Sequence, residues 1–261
     1  MLRLSDFRLI GSKAELAAIP EGKVLINTIN AYSFNVAQKD GAFAEALGKG
    51  LTHDHPEKFL IPDGASIVKA CRWLKALSQP KERIAGWDLF SFEMEQLERR
   101  SERCIVDCEK MRVMFMGSSE RVLRLIRERC AKDYPHLEVV TYSPPYKTEF
   151  SKEENRDIIN AINETKPNLL WIGMTAPKQE KWTWQHWDEL QINCHVGTIG
   201  AVFDFYAGTT KRAPQWWQKH GLEWLYRLLK EPKRMWRRYV FGNPLFVWNI
   251  ATEWYNTKTI I

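Results

Sequence analysis

Short runs of apolar, often β-branched residues recur along this chain, most of them ending in a turn that gives way to a segment of helical period. They are KVLINT (23–28), KFLIP (58–62), RVMFM (112–116), LEVVTY (137–142), NLLWIGM (168–174) and INCHVGTIG (192–200). Runs this short and this continuously apolar fit strands covered on both faces, and the helical segments between them supply the long crossovers that parallel neighbours require. The expected fold is therefore α/β, a mainly parallel Rossmann-like sheet flanked by helices. With 261 residues, 44% of them hydrophobic, the chain can bury such a core.

Local signals mark the helix ends. Asn30 is placed to cap a helix over residues 31–47, in which Ala31, Phe34, Ala42 and Leu47 keep roughly helical spacing. Lys39, Asp40 and Gly41 weaken its middle, and Gly48 and Gly50 end it. Ser151 and Glu154 have capping-box spacing ahead of Ile158, Ile159 and Ile162. Gly117, Ser118 and Ser119 form a strand-to-helix turn that fits an anion site and a plain packed turn equally well, because the three-glycine dinucleotide pattern is absent.

Open α/β sheets bind ligands beyond the carboxyl ends of their strands. Asp63 falls there, between Ile61-Pro62 and the amphipathic stretch ASIVKACRWLKAL (65–77), and is the candidate acid or base. Asp is also a preferred helix N-cap, which is the favoured reading from sequence alone. A helix N-terminus would lower its pKa, so a base role needs desolvation on substrate binding to oppose the dipole.

After Pro214 no further strand is expected. Leu222, Leu225, Tyr226 and Leu229 form one stripe of a helix; Glu223, Arg227 and Lys230 form another, with a Glu223–Arg227 pair available. Pro232 starts the next helix, on which Arg234, Arg237 and Arg238 share a face. From Lys211 to Arg238 there are nine Lys or Arg, two Glu and four Trp, and six of the twelve Trp lie between Trp216 and Trp254. The net charge of +6 asks for an anionic partner, and tryptophan among cations favours a phosphate-rich membrane surface over nucleic acid. The organisation expected is an α/β catalytic domain over 1–208 and a basic, Trp-rich, membrane-associating helical appendage over 209–261.

Cys71, Cys104, Cys108, Cys130 and Cys194 are odd in number and show no disulfide framework, which points to a reducing compartment. Cys104 and Cys108, and the loop trio His53, Asp54 and His55, lack the rest of a metal-ligand set. No apolar segment reaches the ~20 residues of a membrane span. The expected location is cytoplasmic, peripherally associated with the inner face of the cell membrane.

Several separated stretches, NTINAY, PDGASIV, RIAGWDL, GMTAPKQEKW, GAVFDFYAGTTKRAP and then RAPQW with GLEWLYRLLKEP, Arg234 and Arg237, occur in an order that resembles the WecG/TagA/CpsF glycosyltransferases. The resemblance runs from about Asn27 to Tyr239. It implies an inverting, UDP-sugar-dependent hexosyltransferase. Such an enzyme moves an N-acetylmannosamine-type or related sugar to a polyprenyl-diphosphate-linked saccharide in cell-surface polysaccharide synthesis. It also implies Asp63 as the base, Thr28, Asn30, Arg83, Gln179 and Asp204 lining the pocket, and Arg227, Arg234 and Arg237 meeting the diphosphate. The chain has no Asp-X-Asp pair, so arginines and helix N-termini, with no metal and no cofactor beyond the donor, are expected to neutralise the leaving group. The loop GLTHDHPE (50–57) is longer than the family's usual connection, and the tail VFGNPLFVWNIATEWYNTKTII (240–261) extends past its signature. That tail could lie on a membrane, pack on the core or mediate self-association. The alternatives are a non-catalytic peripheral membrane protein of the same fold and, less favoured, a nucleic-acid-binding protein.

Overall fold

The computed structural model describes residues 2–48, 57–103 and 110–259, apart from the side chains of Lys219, Arg234 and Thr259. The loop 50–57, except Glu57, and with it His53, Asp54 and His55, lies outside the described residues, as do Cys104 and Cys108. In chain order come β1 (Val24–Ile29), α1 (Ala31–Ala37), α2 (Gly41–Leu47), β2 (Lys58–Pro62), α3 (Ala65–Leu74), α4 (Gly86–Arg103), β3 (Arg112–Gly117) and α5 (Glu120–Asp133). They are followed by β4 (Glu138–Tyr142), α6 (Lys152–Thr165), β5 (Leu169–Gly173), α7 (Lys178–Gln185), β6 (His195–Thr198) and α8 (Ala201–Tyr206). The remainder is helical: α9 (Gln215–Lys219), α10 (Glu223–Lys230), α11 (Pro232–Trp236), a π-helical turn at Arg237–Phe241 and α12 (Gly242–Thr259).

The six strands form one parallel sheet in the order β2-β1-β6-β5-β3-β4. Its register places Val24 beside His195, Leu169 beside His195, Val113 beside Leu169 and Val113 beside Val139. The α/β expectation therefore holds, and each apolar run identified in the sequence is a strand.

Helix starts follow the side chains that satisfy their first N–H groups. Asn30 caps α1 by accepting from Tyr32 N at 3.0 Å and Ser33 N at 3.1 Å, while Ser33 Oγ accepts from Asn30 N at 2.8 Å. The single helix expected over 31–47 is two: Asp40 caps α2 by accepting from Phe43 N at 3.0 Å, and Gly48 closes α2 in the left-handed region at φ 97°. The weak point at Lys39–Gly41 is thus a complete break, because Asp40 gives the backbone a better partner than a continued helix would. Ser151 and Glu154 form the expected capping box.

The contacts gather into two compact units, one of residues 1–15, 28–85 and 211–261, the other of 16–27 and 86–210. In the second, Leu25, Met114, Met116, Ile158, Ile162, Leu170, Ile172 and Val196 fill one core. An aromatic group of Phe90, Phe115, Trp171, Phe203 and Tyr206 packs at ring separations of 4.8–6.3 Å. Trp171 lies so close to Gly197 that a Cβ there would sit 2.1 Å from its ring. Gly197→Ala is therefore expected to cost about 1–3 kcal/mol by overpacking, read as a lower urea midpoint at unchanged slope.

In the first unit Ile29, Phe34, Phe43, Leu47, Leu60, Ile67, Phe246 and Ile250 are buried together. Two of these residues come from α12, so the tail packs on the core, one of the three fates its sequence left open. Polar contacts fix it there: Glu253 accepts from Leu4 N at 2.6 Å and Ser5 N at 3.0 Å, and Asn249 donates to Asn35 Oδ1 at 3.0 Å. The opposite side of α12 leaves Val247, Trp248 and Tyr255 exposed.

Candidate active site

Asp63 follows directly on β2, and its backbone N–H donates to Ile29 O at 2.8 Å, tying it to the end of β1. It does not cap α3. Gly64 occupies that position without a side-chain cap, so the carboxyl is not engaged at the helix terminus and the capping expectation is corrected. The segment carrying Arg83 is held against the same place, because Ile84 N donates to Pro62 O at 3.1 Å.

Three guanidiniums, those of Arg83, Arg227 and Arg238, act on the Asp63 carboxyl, together with the carboxylate of Glu223. The guanidiniums alone would hold it ionised. Desolvation is the stronger influence, and with a smaller contribution from Glu223 it leaves the Asp63 pKa raised above the ordinary carboxyl value. From sequence, desolvation was expected to arrive with substrate, whereas crowding by protein already supplies it.

Glu223 starts α10 and accepts from Arg83 Nη1 at 2.9 Å, while its other oxygen lies 3.8 Å from Arg212 Nε. The apolar stripe of α10 is not a buried one, and Leu229 is largely exposed. Arg238 has its guanidinium 4.3 Å from the ring centre of Tyr32 and 5.8 Å from that of Tyr239. Its Nε is buried and finds no hydrogen-bond partner among the described residues. Burial lowers the pKa of this arginine; Tyr239 opposes that shift and Arg227 adds to it.

Of the residues expected to meet a diphosphate, Arg227 joins the Asp63 group. Arg237 is exposed beside the Trp236 ring at 5.4 Å, and the Arg234 side chain lies outside the described residues. Arg238, Glu223, Arg212 and Tyr32 were not singled out as site residues by the sequence. The only signal for Arg238 was its place next to Arg237 in a shared basic face. Thr28 is half-buried at the end of β1, and the Asn30 side chain is engaged as the α1 cap.

Gln179 and Asp204 belong to the other compact unit. Gln179 is buried, and its Oε1 accepts from Met174 N and Gly200 N, each at 3.2 Å, joining the segments that follow β5 and β6. Its Nε2 donates to Glu180 Oε1 at 2.9 Å, which fixes which end of the amide faces the two backbone donors. Gly200 is required by this arrangement, since a Cβ there would lie 2.5 Å from Met174 O and 3.0 Å from Gln179 Oε1. Asp204 accepts from Thr209 Oγ1 at 3.2 Å.

A carboxyl of raised proton affinity among arginines, at the carboxyl ends of parallel strands, can take a proton beside a phosphate-bearing ligand. That is the equipment of a group-transfer enzyme acting on phosphorylated substrates. The chain belongs to the glycosyl transferase WecG/TagA/CpsF family, whose sequence model matches residues 10–260. It is 31% identical over 181 residues to the N-acetylglucosaminyldiphosphoundecaprenol N-acetyl-beta-D-mannosaminyltransferase of Bacillus spizizenii, a match that covers 69% of this chain and 63% of that protein. The proteins of the same name from Bacillus subtilis and Staphylococcus aureus strain MW2 are each 26% identical. The first match covers 90% of this chain and 82% of the relative, the second 87% and 80%.

Proposed function

We propose that this chain is an inverting glycosyltransferase that moves an N-acetylmannosaminyl or related hexosyl group from a UDP-sugar to a polyprenyl-diphosphate-linked saccharide. The observation that carries the reading is Asp63, kept protonatable among Arg83, Arg227 and Arg238 in a member of this family. The acceptor hydroxyl oxygen forms a bond to the anomeric carbon of the donor as the bond from that carbon to the diphosphate oxygen breaks. The electron pair leaves on UDP, and the hydroxyl proton passes to the Asp63 carboxylate. Arginines neutralise the departing diphosphate with bidentate hydrogen bonds, so turnover without added metal is part of the proposal.

The acceptor's lipid places the reaction at a membrane, and residues 209–261 are assigned to that surface. Among the described residues no helix is long and apolar enough to cross a membrane. Phe241, Val247 and Trp248 are exposed, and the same stretch of chain carries the exposed Lys233 and Arg237, which suits an interfacial contact at the cytoplasmic face. A Phe241→Ser/Trp248→Ser protein is expected to float with anionic phospholipid vesicles at least about fivefold less than the parent while keeping its unfolding temperature, because two large apolar anchors are lost. Undiminished flotation would remove these residues from the contact.

The activity is tested by UDP release from purified protein in detergent, with polyprenyl-diphosphate-linked N-acetylglucosamine as acceptor, a panel of UDP-sugars and a chelator present. Acceptor-dependent release from one donor supports the proposal. Release indifferent to acceptor, or none from any donor, counts against it.

A further inference from the structure

Glu223 pairs with two cations, one of which, Arg83, acts with it on the candidate base, and the chemistry just proposed gives it no task. It is the first residue of α10, and its two carboxylate oxygens face guanidiniums on two other segments, Arg83 at 2.9 Å and Arg212 at 3.8 Å. All three side chains are about four-fifths buried, with relative exposures of 18–20%. A surface pair would be worth little, but ions this sheltered act on their neighbours with less screening. The Arg83 segment is also hydrogen-bonded through Ile84 N to the carbonyl of Pro62, the residue before Asp63, so its backbone is tied beside Asp63 while Glu223 holds the guanidinium.

We propose that Glu223 is a positioning residue for the acid–base step: by pairing with Arg83 it offsets the charge of that guanidinium, so that Asp63 stays basic enough to accept the acceptor's proton, while Arg212 holds the other oxygen of Glu223. The inference rests on Asp63 being the base. The groups acting on Asp63 come from three segments: Arg83 from the stretch before α4, Glu223 and Arg227 from α10, and Arg238 from the π-helical turn, where it packs on Tyr32 of α1. The three cations each favour ionised Asp63, and Glu223 is the single anion among them that favours the protonated form. A base that must take a proton from an alcohol gains from every increment of proton affinity compatible with being ionised at the working pH. With Glu223 in place, a cluster built to hold a diphosphate need not weaken the base beside it. Because Glu223 is part of α10, the tuning also depends on that helix being seated.

The test is a site-resolved titration of the Asp63 side-chain carbon by NMR in the full chain, read without any substrate. Glu223→Gln is expected to lower the proton affinity of Asp63 roughly tenfold. Arg83→Met should raise it, and the double variant should return it toward the parent value. Glu223→Asp keeps the charge and should leave the midpoint near the parent's, which separates charge from helix seating should the Gln variant fold poorly. An Asp63 midpoint that is the same in folded Glu223→Gln and parent, or one that moves equally in Glu223→Asp, overturns the inference. Asp63→Asn activity is read in parallel. An inactive Asp63→Asn with an unmoved midpoint in Glu223→Gln rejects the tuning and keeps the base, whereas a fully active Asp63→Asn rejects the base itself.

Discussion

An Asp63→Asn protein is expected to transfer sugar roughly 10²- to 10⁴-fold more slowly than the parent, the range lost when a positioned general base is removed. It should fold, because the Asp63 contact that ties the site together is made by the backbone N–H donating to Ile29 O, which asparagine keeps. It should also gain stability at alkaline pH. The folded-state pKa of Asp63 is raised, chiefly by desolvation, above that of an unfolded carboxyl, so its contribution is fully present below the unfolded value and is lost as the pH rises through the folded one. An ionised Asp63 therefore burdens the folded state and a neutral asparagine does not. A higher melting temperature for the variant than for the parent at about pH 8, narrowing towards about pH 4, is the expected pattern, and calorimetry across that range reads it. A variant that melts lower at every pH would mean that the arginines need the Asp63 charge more than burial resists it.

The second large effect belongs to Glu180. It is buried, one oxygen accepts from Gln179 Nε2 at 2.9 Å, and the other has no hydrogen-bond partner among the described residues. Desolvation raises its pKa to about 7. Against an unfolded glutamate at about 4.3, the ionised form costs the folded state about 4 kcal/mol. The sign is that of a raised carboxyl: stability is greatest below the unfolded pKa and declines as the pH climbs from there through about 7. Glu180→Gln keeps an acceptor for Gln179 and removes the titration. Its unfolding free energy should be flatter between about pH 5 and pH 8 and exceed the parent's at the upper end by about 4 kcal/mol. Chemical denaturation at each pH measures this, and parallel curves for the two proteins would place the proton elsewhere.

The sheet was legible because each strand is a short apolar run bounded by turn residues, and burial on both faces leaves no alternative use for Val113, Phe115, Leu170 or Ile172. Helix starts at Asn30 and Ser151 were legible because a cap is made between residues that are neighbours in sequence. The Asp63 environment was not. Whether an aspartate after a strand caps a helix or faces a pocket depends on Gly64 taking the cap position and on Arg83, Arg227 and Arg238 arriving from distant parts of the chain. Which arginines gather around Asp63 was not legible for a related reason. Helical spacing puts Arg234, Arg237 and Arg238 on one face, yet residues 237–241 form a π-helical turn, through which α-helical spacing does not hold. Arg238 then lies over Tyr32 and Arg237 beside Trp236. The Glu223–Arg83 pair joins residues 140 positions apart, and neither periodicity nor spacing carries such information.

The most direct test of direct displacement assisted by Asp63 is the anomeric configuration of the product. Incubation with UDP-N-acetylmannosamine and a polyprenyl-diphosphate-linked N-acetylglucosamine acceptor, followed by measurement of the one-bond carbon–proton coupling at the new linkage, reads it. Inversion of the α-linked donor predicts a β linkage, formed by the parent and not by Asp63→Asn. An α-linked product, or equal formation by the two proteins, would contradict the account.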